Sequence, residues 1–130
     1  MAETFNIEII SPEKTLLKTE TEEALIPAFE GIMTILKNHI SLVTFLRPGF
    51  IETTKGDKIE KFYVEEGTVE FTRNQLLILS STAINIKDLS SKYISIMIEN
   101  SKNQLNKADL KDKEKYILNY KIETLQQINK

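Results

Sequence analysis

Cysteine is absent from this chain. Disulfides, thiolate zinc sites and a cysteine nucleophile are therefore excluded, and the absence fits a reducing compartment. Histidine is nearly absent too: His39 stands alone, with no HxH or HExxH spacing and no carboxylate pair beside it. A metal site needs several ligands, and acid–base catalysis needs a positioned partner for the base. His39 is thus read as a turn or interface residue. No GxxxxGK[ST] or GxGxxG stretch occurs, so neither common phosphate-cradling loop is present. No apolar run approaches the roughly 20 residues that a membrane-spanning helix needs. The opening "MAETFNIEII" carries Glu3 and no basic segment before its apolar residues, so it is not read as a secretory signal. Any membrane association is expected to be indirect, through a partner.

An excess of basic charge is also missing. The net charge is −2, where a nucleic-acid binder shows a basic patch or stripe; no nucleic-acid partner is expected. The distribution says more than the sum. Residues 1–86 carry 13 acidic against 8 basic side chains, and residues 87–130 carry 6 against 9. The two segments face different surroundings. A length of 130 residues suits one compact domain with a modest appendage.

The same division appears in the hydrophobic pattern. In "FNIEII", Phe5, Ile7 and Ile9 alternate with Asn6 and Glu8, the period-2 signature of a half-buried strand. "KFYVE" and "TVEFT" repeat the theme, and "QLLILSS" is a continuous apolar run of the kind a strand buried on both faces shows. Turn signals separate these runs at Ser11-Pro12, Glu30-Gly31, Lys37-Asn38, Pro48-Gly49, Gly56-Asp57, Glu66-Gly67 and Arg73-Asn74. Spacings of about 8–12 residues predict a sandwich or barrel. Arg47-Pro48-Gly49 reads as a turn, proline presetting φ and glycine free to take a positive φ after it.

No glycine or proline follows Gly67, and after Ile86 the period changes. Asp88 is a plausible N-cap for a helix running to about Asn106, with Leu89, Tyr93, Ile96 and Met97 at helical spacing. Asp109 is the candidate cap of a second helix, with a stripe of Leu110, Ile117, Leu118, Leu125 and Ile128. Asp112 and Glu114 sit early in it, where the helix dipole favours acids. The short join "NKAD" lets the two helices lie antiparallel as a hairpin. Two amphipathic helices have a thin core, so the appendage is expected to dock elsewhere, or undock. The expected fold is thus an all-β sandwich of about ten short strands in two sheets over residues 1–86, followed by an antiparallel α-helical hairpin over 87–130.

The acidic pairs Glu22-Glu23 and Glu65-Glu66 lack the alternating oxygen-ligand pattern of a calcium loop and read as solvated charge. Lys111, Lys113, Lys115 and Lys121 form either a solvated helix face or a grip on an acidic partner.

Taken in order along the chain, these blocks resemble the epsilon subunit of the F-type ATP synthase, equivalent to the mitochondrial delta subunit. "FNIEIISPEKTLLKTETEEALIPAFEG" is similar to that family's start, and "IMTILKNHISLVTFLRPGFI" to its histidine loop, strand and [KR]-Pro-Gly turn. "KFYVEEGTVEF" and "LLILSSTAI" resemble the strand-glycine-strand unit and the last strand before the helices. The resemblance implies a rotor part rather than an enzyme, with no catalytic residue, metal or cofactor. It implies a sandwich seated at the foot of the central stalk, against the gamma subunit and on the c-subunit ring, at the cytoplasmic face of a bacterial inner membrane. Carried over by position, the ring contact falls on Glu30, Gly31, Asn38, His39 and Ser41. The hairpin would brake ATP hydrolysis by laying Lys111, Lys113, Lys115 and Lys121 on an acidic segment of the beta subunits.

Two departures accompany the resemblance. The family's Pro-Gly-His-Ala-Pro loop is here Lys37-Asn38-His39-Ile40-Ser41. Asn is the next-best occupant of a left-handed position, so a tight turn at Asn38 is retained without the prolines' stiffening. Some relatives bind ATP through [IL]-Asp-x-x-Arg-Ala, which here reads Leu89-Ser90-Ser91-Lys92-Tyr93-Ile94. Losing the carboxylate and guanidinium removes the charge-assisted hydrogen bonds, and negligible ATP affinity is expected. The competing reading is a stand-alone β-sandwich binding module with a helical dimerisation tail.

Overall fold

The computed structural model describes residues 3–128. The alternating run at the start forms β1 (Phe5–Ile10), with Phe5, Ile7 and Ile9 buried and Asn6 exposed. Nine further strands follow: β2 (Thr15–Thr21), β3 (Glu23–Ala28), β4 (Gly31–Leu36), β5 (Leu42–Leu46), β6 (Gly49–Lys55), β7 (Lys58–Val64), β8 (Gly67–Thr72), β9 (Gln75–Leu79) and β10 (Ile84–Asn85). The strand order is β10-β7-β6-β3-β5-β8-β9-β1-β2, with β4 on the free side of β3. All neighbours are antiparallel except β1 and β9.

The two layers expected from the sequence are hydrogen-bonded to each other at one corner. Strand β3 pairs with β6 through Glu23–Leu25 and then passes to β5 through Ala28 opposite Leu46. Between the layers lie Ile7, Ile9, Ile26, Ile51, Phe62 and Phe71 with their neighbours. Each fully buried side chain of this kind contributes about 1.5–3 kcal/mol. The run "QLLIL" departs from expectation: Leu76 and Ile78 are buried, but Leu79 is 45% exposed. Strand β9 lies inside a layer between β8 and β1, and only one of its faces meets the other layer.

Two helices complete the chain, α1 (Ser91–Leu105) and α2 (Asp112–Gln126). Their caps differ from those expected. Asp88 belongs to a single 3-10 turn, Ile86–Asp88, which the Asn85 side chain caps by accepting from the Lys87 amide. The cap of α1 is Ser90, whose Oγ accepts from the Tyr93 amide at 3.1 Å. Helix α2 starts after Lys111, not Asp109, and the Glu114 carboxylate reaches back to accept from the Lys111 amide at 3.4 Å.

The buried stripe of α1 is also turned. Ile94 and Ser101 are buried, with Met97 and Ile98 packed beside them, whereas Tyr93 is 52% and Ile96 47% exposed. One residue amounts to about 100° of helix rotation. The pattern alone contained two overlapping stripes, and the sandwich surface selected one. In α2, Leu125 is buried as expected, with Ile128 beyond the helix packed near it; Ile122 is buried too, and Ile117, Leu118 and, before the helix, Leu110 are half-buried. Leu89, Ile94 and Leu125 form a second core around Tyr63 of β7. The hairpin therefore lies folded against the sandwich.

Candidate partner-binding faces

Strand β4 is six residues long, about 20 Å at the usual rise of ~3.4 Å per residue. Glu30 sits at the turn before it and Gly31 opens it; Asn38, His39 and Ser41 sit in the loop after it. The five residues grouped by sequence proximity therefore form two groups at opposite ends of a strand.

The His39 end is held by a pair of asparagines. Asn38 has φ +67°, the left-handed conformation expected of it. The Asn38 amide donates to the Asn74 side-chain oxygen at 2.7 Å, and the Asn74 side-chain amide donates to Asn38 Oδ1 at 3.1 Å. Asn74 occupies the β8–β9 turn with Arg73, at φ +60° and +50°, the backbone that a tight two-residue hairpin demands. This interlock ties the histidine loop to the β8–β9 turn. The His39 amide closes the turn by donating to the Leu36 carbonyl at 3.0 Å. Its ring stands edge-on to Phe71, with 5.9 Å between centroids, and Nδ1 lies 2.8 Å from the Ile40 carbonyl. A carbonyl only accepts, so Nδ1 carries the proton and Nε2 is the acceptor of the neutral ring.

At the other end, Gly31 has φ +137°, which side-chain-bearing residues rarely adopt. Thr44 Oγ1 donates to the Glu30 carboxylate at 3.2 Å. Gly49 does not take the positive φ expected after Pro48. Its role is close approach: a Cβ there would lie 2.5 Å from the Pro27 Cβ.

Strands β4 and β5 expose apolar side chains between these two ends. Ile32 is 73% exposed, Val43 72% and Phe45 59%, with Leu36 and Ile40 beside them in sequence at 50% and 79%. Strand β4 pairs with β3, whereas β5 pairs with β8 and meets β3 only at Ala28, so the two sets lie on different layers; Val43 and Phe45, two residues apart on the outward face of β5, form the exposed apolar pair of one strand face.

The four lysines of the second helix region divide. Lys111, Lys113 and Lys115 are exposed, but Lys121 pairs with Glu65 at 3.3 Å. Glu65 also accepts from the Tyr63 hydroxyl at 2.9 Å. Burial, then the neighbouring Glu65 charge and this hydrogen bond, raise the Tyr63 pKa far above its ordinary value. Arg47 is a residue whose role sequence reasoning missed. It is buried, and its guanidinium lies 3.9 Å from the centroid of the Tyr120 ring on α2. Nothing in "FLRPG" signals a helix seat, because the partner lies more than 70 residues away in the chain.

A groove of about 890 Å³ runs beside α1, lined by Glu13, Lys14, Glu65, Asp88, Tyr93 and Lys121 among others. It has more carboxylates than ammonium groups and no arginine. Ser90, where the ATP-binding motif has Asp, spends its hydroxyl on capping α1. Among the described residues no cluster of three or more His, Asp or Glu side chains could hold a metal ion.

The comparisons with known proteins agree with this geometry. Residues 4–86 match the family model of the ATP synthase delta/epsilon chain β-sandwich domain. The chain is 42% identical over 130 residues to the ATP synthase epsilon chain of Pelagibacter ubique, covering 99% of this chain and 100% of that one. It is 34% identical over 109 residues to that of Sinorhizobium medicae, covering 83% and 81%. Two solved structures share the fold. One is a chain of the Euglena gracilis mitochondrial ATP synthase (OSCP/F1/c-ring), at TM-score 0.78 and 17% identity, covering 95% of this chain and 79% of that one. The other, from the Tetrahymena thermophila mitochondrial ATP synthase central stalk and c-ring, has TM-score 0.64 and 14% identity, covering 97% and 96%. With a family model over most of its length and a full-length relative at 42% identity, the chain belongs to the ATP synthase delta/epsilon family.

Proposed function

We propose that the chain is a non-catalytic central-stalk subunit of an F-type ATP synthase, held by its partners at the cytoplasmic face of a bacterial inner membrane. The observation that carries this reading is the exposed apolar pair on β5, in a chain of this family. Val43 and Phe45, on the outward face of β5, supply a seat for the gamma subunit. The interlocked Asn38–His39–Ser41 loop and the Glu30-Gly31 turn are the polar contacts offered to the c-subunit ring. A sandwich packed to crystal-like density transmits load without yielding, which suits a part that couples ring rotation to gamma and so to ATP synthesis. The hairpin is the regulatory part: released from the sandwich, it would present Lys111, Lys113 and Lys115 to acidic beta-subunit segments and brake hydrolysis. Lys121 would have to leave Glu65 first.

Co-purification with the gamma subunit tests the assignment. A stable complex is expected, and Val43→Asp should abolish it while the sandwich stays folded. Self-association without gamma binding would instead favour the stand-alone module with a helical dimerisation tail. His39→Ala should leave folding nearly intact and weaken attachment to the ring. Truncation after Asn85 should raise ATP hydrolysis by the reconstituted complex; unchanged hydrolysis would remove the brake and leave the stalk role standing. The groove beside α1, with three carboxylates against two lysines and no arginine, supports negligible ATP affinity, and millimolar or tighter binding in a calorimetric titration would overturn that.

A further inference from the structure

Helix α2 meets the sandwich through an unusual contact. Tyr116 stacks on Phe29 of the β3–β4 turn, with 6.4 Å between centroids and 13° between ring planes, and its hydroxyl donates to the Phe29 carbonyl at 3.2 Å. Tyr116 meets Tyr120 edge-to-face at 4.8 Å, and Tyr120 covers the Arg47 guanidinium. Phe29, Tyr116, Tyr120 and Arg47 thus form one continuous ladder from the turn to the β5–β6 connection.

Arg47 is only 8% exposed, yet its Nη1 donates to the Pro48 carbonyl at 2.9 Å and its Nε has no hydrogen-bond partner. Among the described residues no carboxylate lies within 4.0 Å of it. A buried guanidinium without a counter-ion is costly. The face of Tyr120 returns part of that cost, because a desolvated cation over a ring is attracted more strongly than an exposed one. When α2 leaves, Arg47 regains water. Burying Arg47 therefore subtracts from what docking of α2 gains.

We propose that this ladder is a latch whose hold on α2 depends on the conformation of the β3–β4 turn. Phe29 precedes Glu30 and Gly31, and α2 braces its carbonyl directly. By linkage, whatever shifts the turn shifts hairpin docking, and release of the hairpin loosens the turn to the same extent in free energy. The latch stands on the fold alone; it rests on the proposed stalk role only for the identity of what touches Glu30 and Gly31.

Amide hydrogen exchange on the full free chain tests it, with β1, β8 and β9 as internal reference. Tyr120→Leu keeps a helix-forming apolar side chain and removes the ring face. It should speed exchange in α2 about two- to thirtyfold, the range of a cation–π contact, with the reference strands unchanged. Tyr116→Leu should speed exchange at the Glu30 and Gly31 amides, and Phe29→Ala should reciprocally speed exchange along residues 115–121. An unchanged α2 in Tyr120→Leu, or an equal rise in the reference strands, would overturn the latch. A turn indifferent to Tyr116→Leu, or an α2 indifferent to Phe29→Ala, would overturn the coupling.

Discussion

The sandwich and the hairpin are built to different standards of closure. In the sandwich a strand such as β8 alternates strictly, Gly67, Val69 and Phe71 buried against exposed Thr68, Glu70 and Thr72. Its core draws on both layers and on nothing outside them. In the hairpin, α1 fully buries only Ile94 and Ser101, and α2 only Ile122, Thr124 and Leu125. Their shared core closes around Tyr63, a sandwich residue. The sandwich closes its core on itself, whereas the hairpin closes its core only against the sandwich. A part that must be stiff and a part that must move can thus share one short chain.

The strongest way to break this comparison is to empty each core in turn. Phe71→Ala removes a fully buried ring and should cost about 3–5 kcal/mol, unfolding sandwich and hairpin together in a chemical melt. Leu125, 0% exposed, is a comparable loss on the other side, about 2–5 kcal/mol for Leu→Ala. Here the cost should fall on the hairpin alone. Helical signal should melt early while the strand amides stay protected. A single cooperative transition in both variants would show that the two regions fold as one.

Gly49→Ala probes the corner where β3 turns from one layer to the other. The added methyl meets Pro27 at 2.5 Å, with Arg47 Nη1 3.4 Å away. Overpacking of this kind typically costs about 1–3 kcal/mol. A lowered denaturation midpoint is expected, with α2 loosened as well, because displacing Arg47 disturbs the seat of Tyr120.

The difference in closure also explains what could be read from residues alone. Strands that close their own core advertise it: the alternation in "FNIEII" and "TVEFT" and the turn pairs between runs located the β elements and the left-handed Asn38. Helices that borrow their core do not. Of the stripe Leu89, Tyr93, Ile96 and Met97, only Leu89 and Met97 pack on the sheet, Ile94 joins them while Tyr93 and Ile96 face outward, and only the sheet surface decides this. The site residues were separated for a related reason. Glu30 and Asn38 are close in sequence, but a straight strand carries them to opposite ends of the domain. Arg47 looked like turn chemistry, because its partner Tyr120 belongs to a helix whose docking no local pattern encodes. The exposed face of β5 was hidden too. Apolar residues on both faces of a strand read as deeper burial, not as a surface awaiting a partner.

Tyr63 sits at the joint between the two regions, and alkaline pH tests that joint. Its folded pKa is raised above the ordinary value near 10, first by burial and then by Glu65. The unfolded chain therefore releases the tyrosine proton at a pH where the native state still holds it. Stability from this group is fully present below about pH 10 and is lost as pH rises beyond it, by about 1.4 kcal/mol per pH unit. Tyr63→Phe should remove this slope from the difference between pH 9 and pH 11 in urea melts. A slope the same in both proteins would mean that Tyr63 ionises freely, and that the hairpin does not seal it.

The effect least felt by the hairpin should come from the loop that Asn74 ties down. Asn38→Gly keeps access to φ +67° and loses the Asn38 side-chain oxygen that accepts from Asn74, for about 0.5–1.5 kcal/mol. Asn38→Ala adds the left-handed penalty, about 1–2 kcal/mol more. Neither change should alter exchange in α2, because the loop lies at the far end of β4 from the turn that α2 braces. If Asn38→Gly instead loosened the hairpin, the two ends of β4 would be mechanically joined, and the sandwich would carry hairpin state to the histidine loop as well as to the β3–β4 turn.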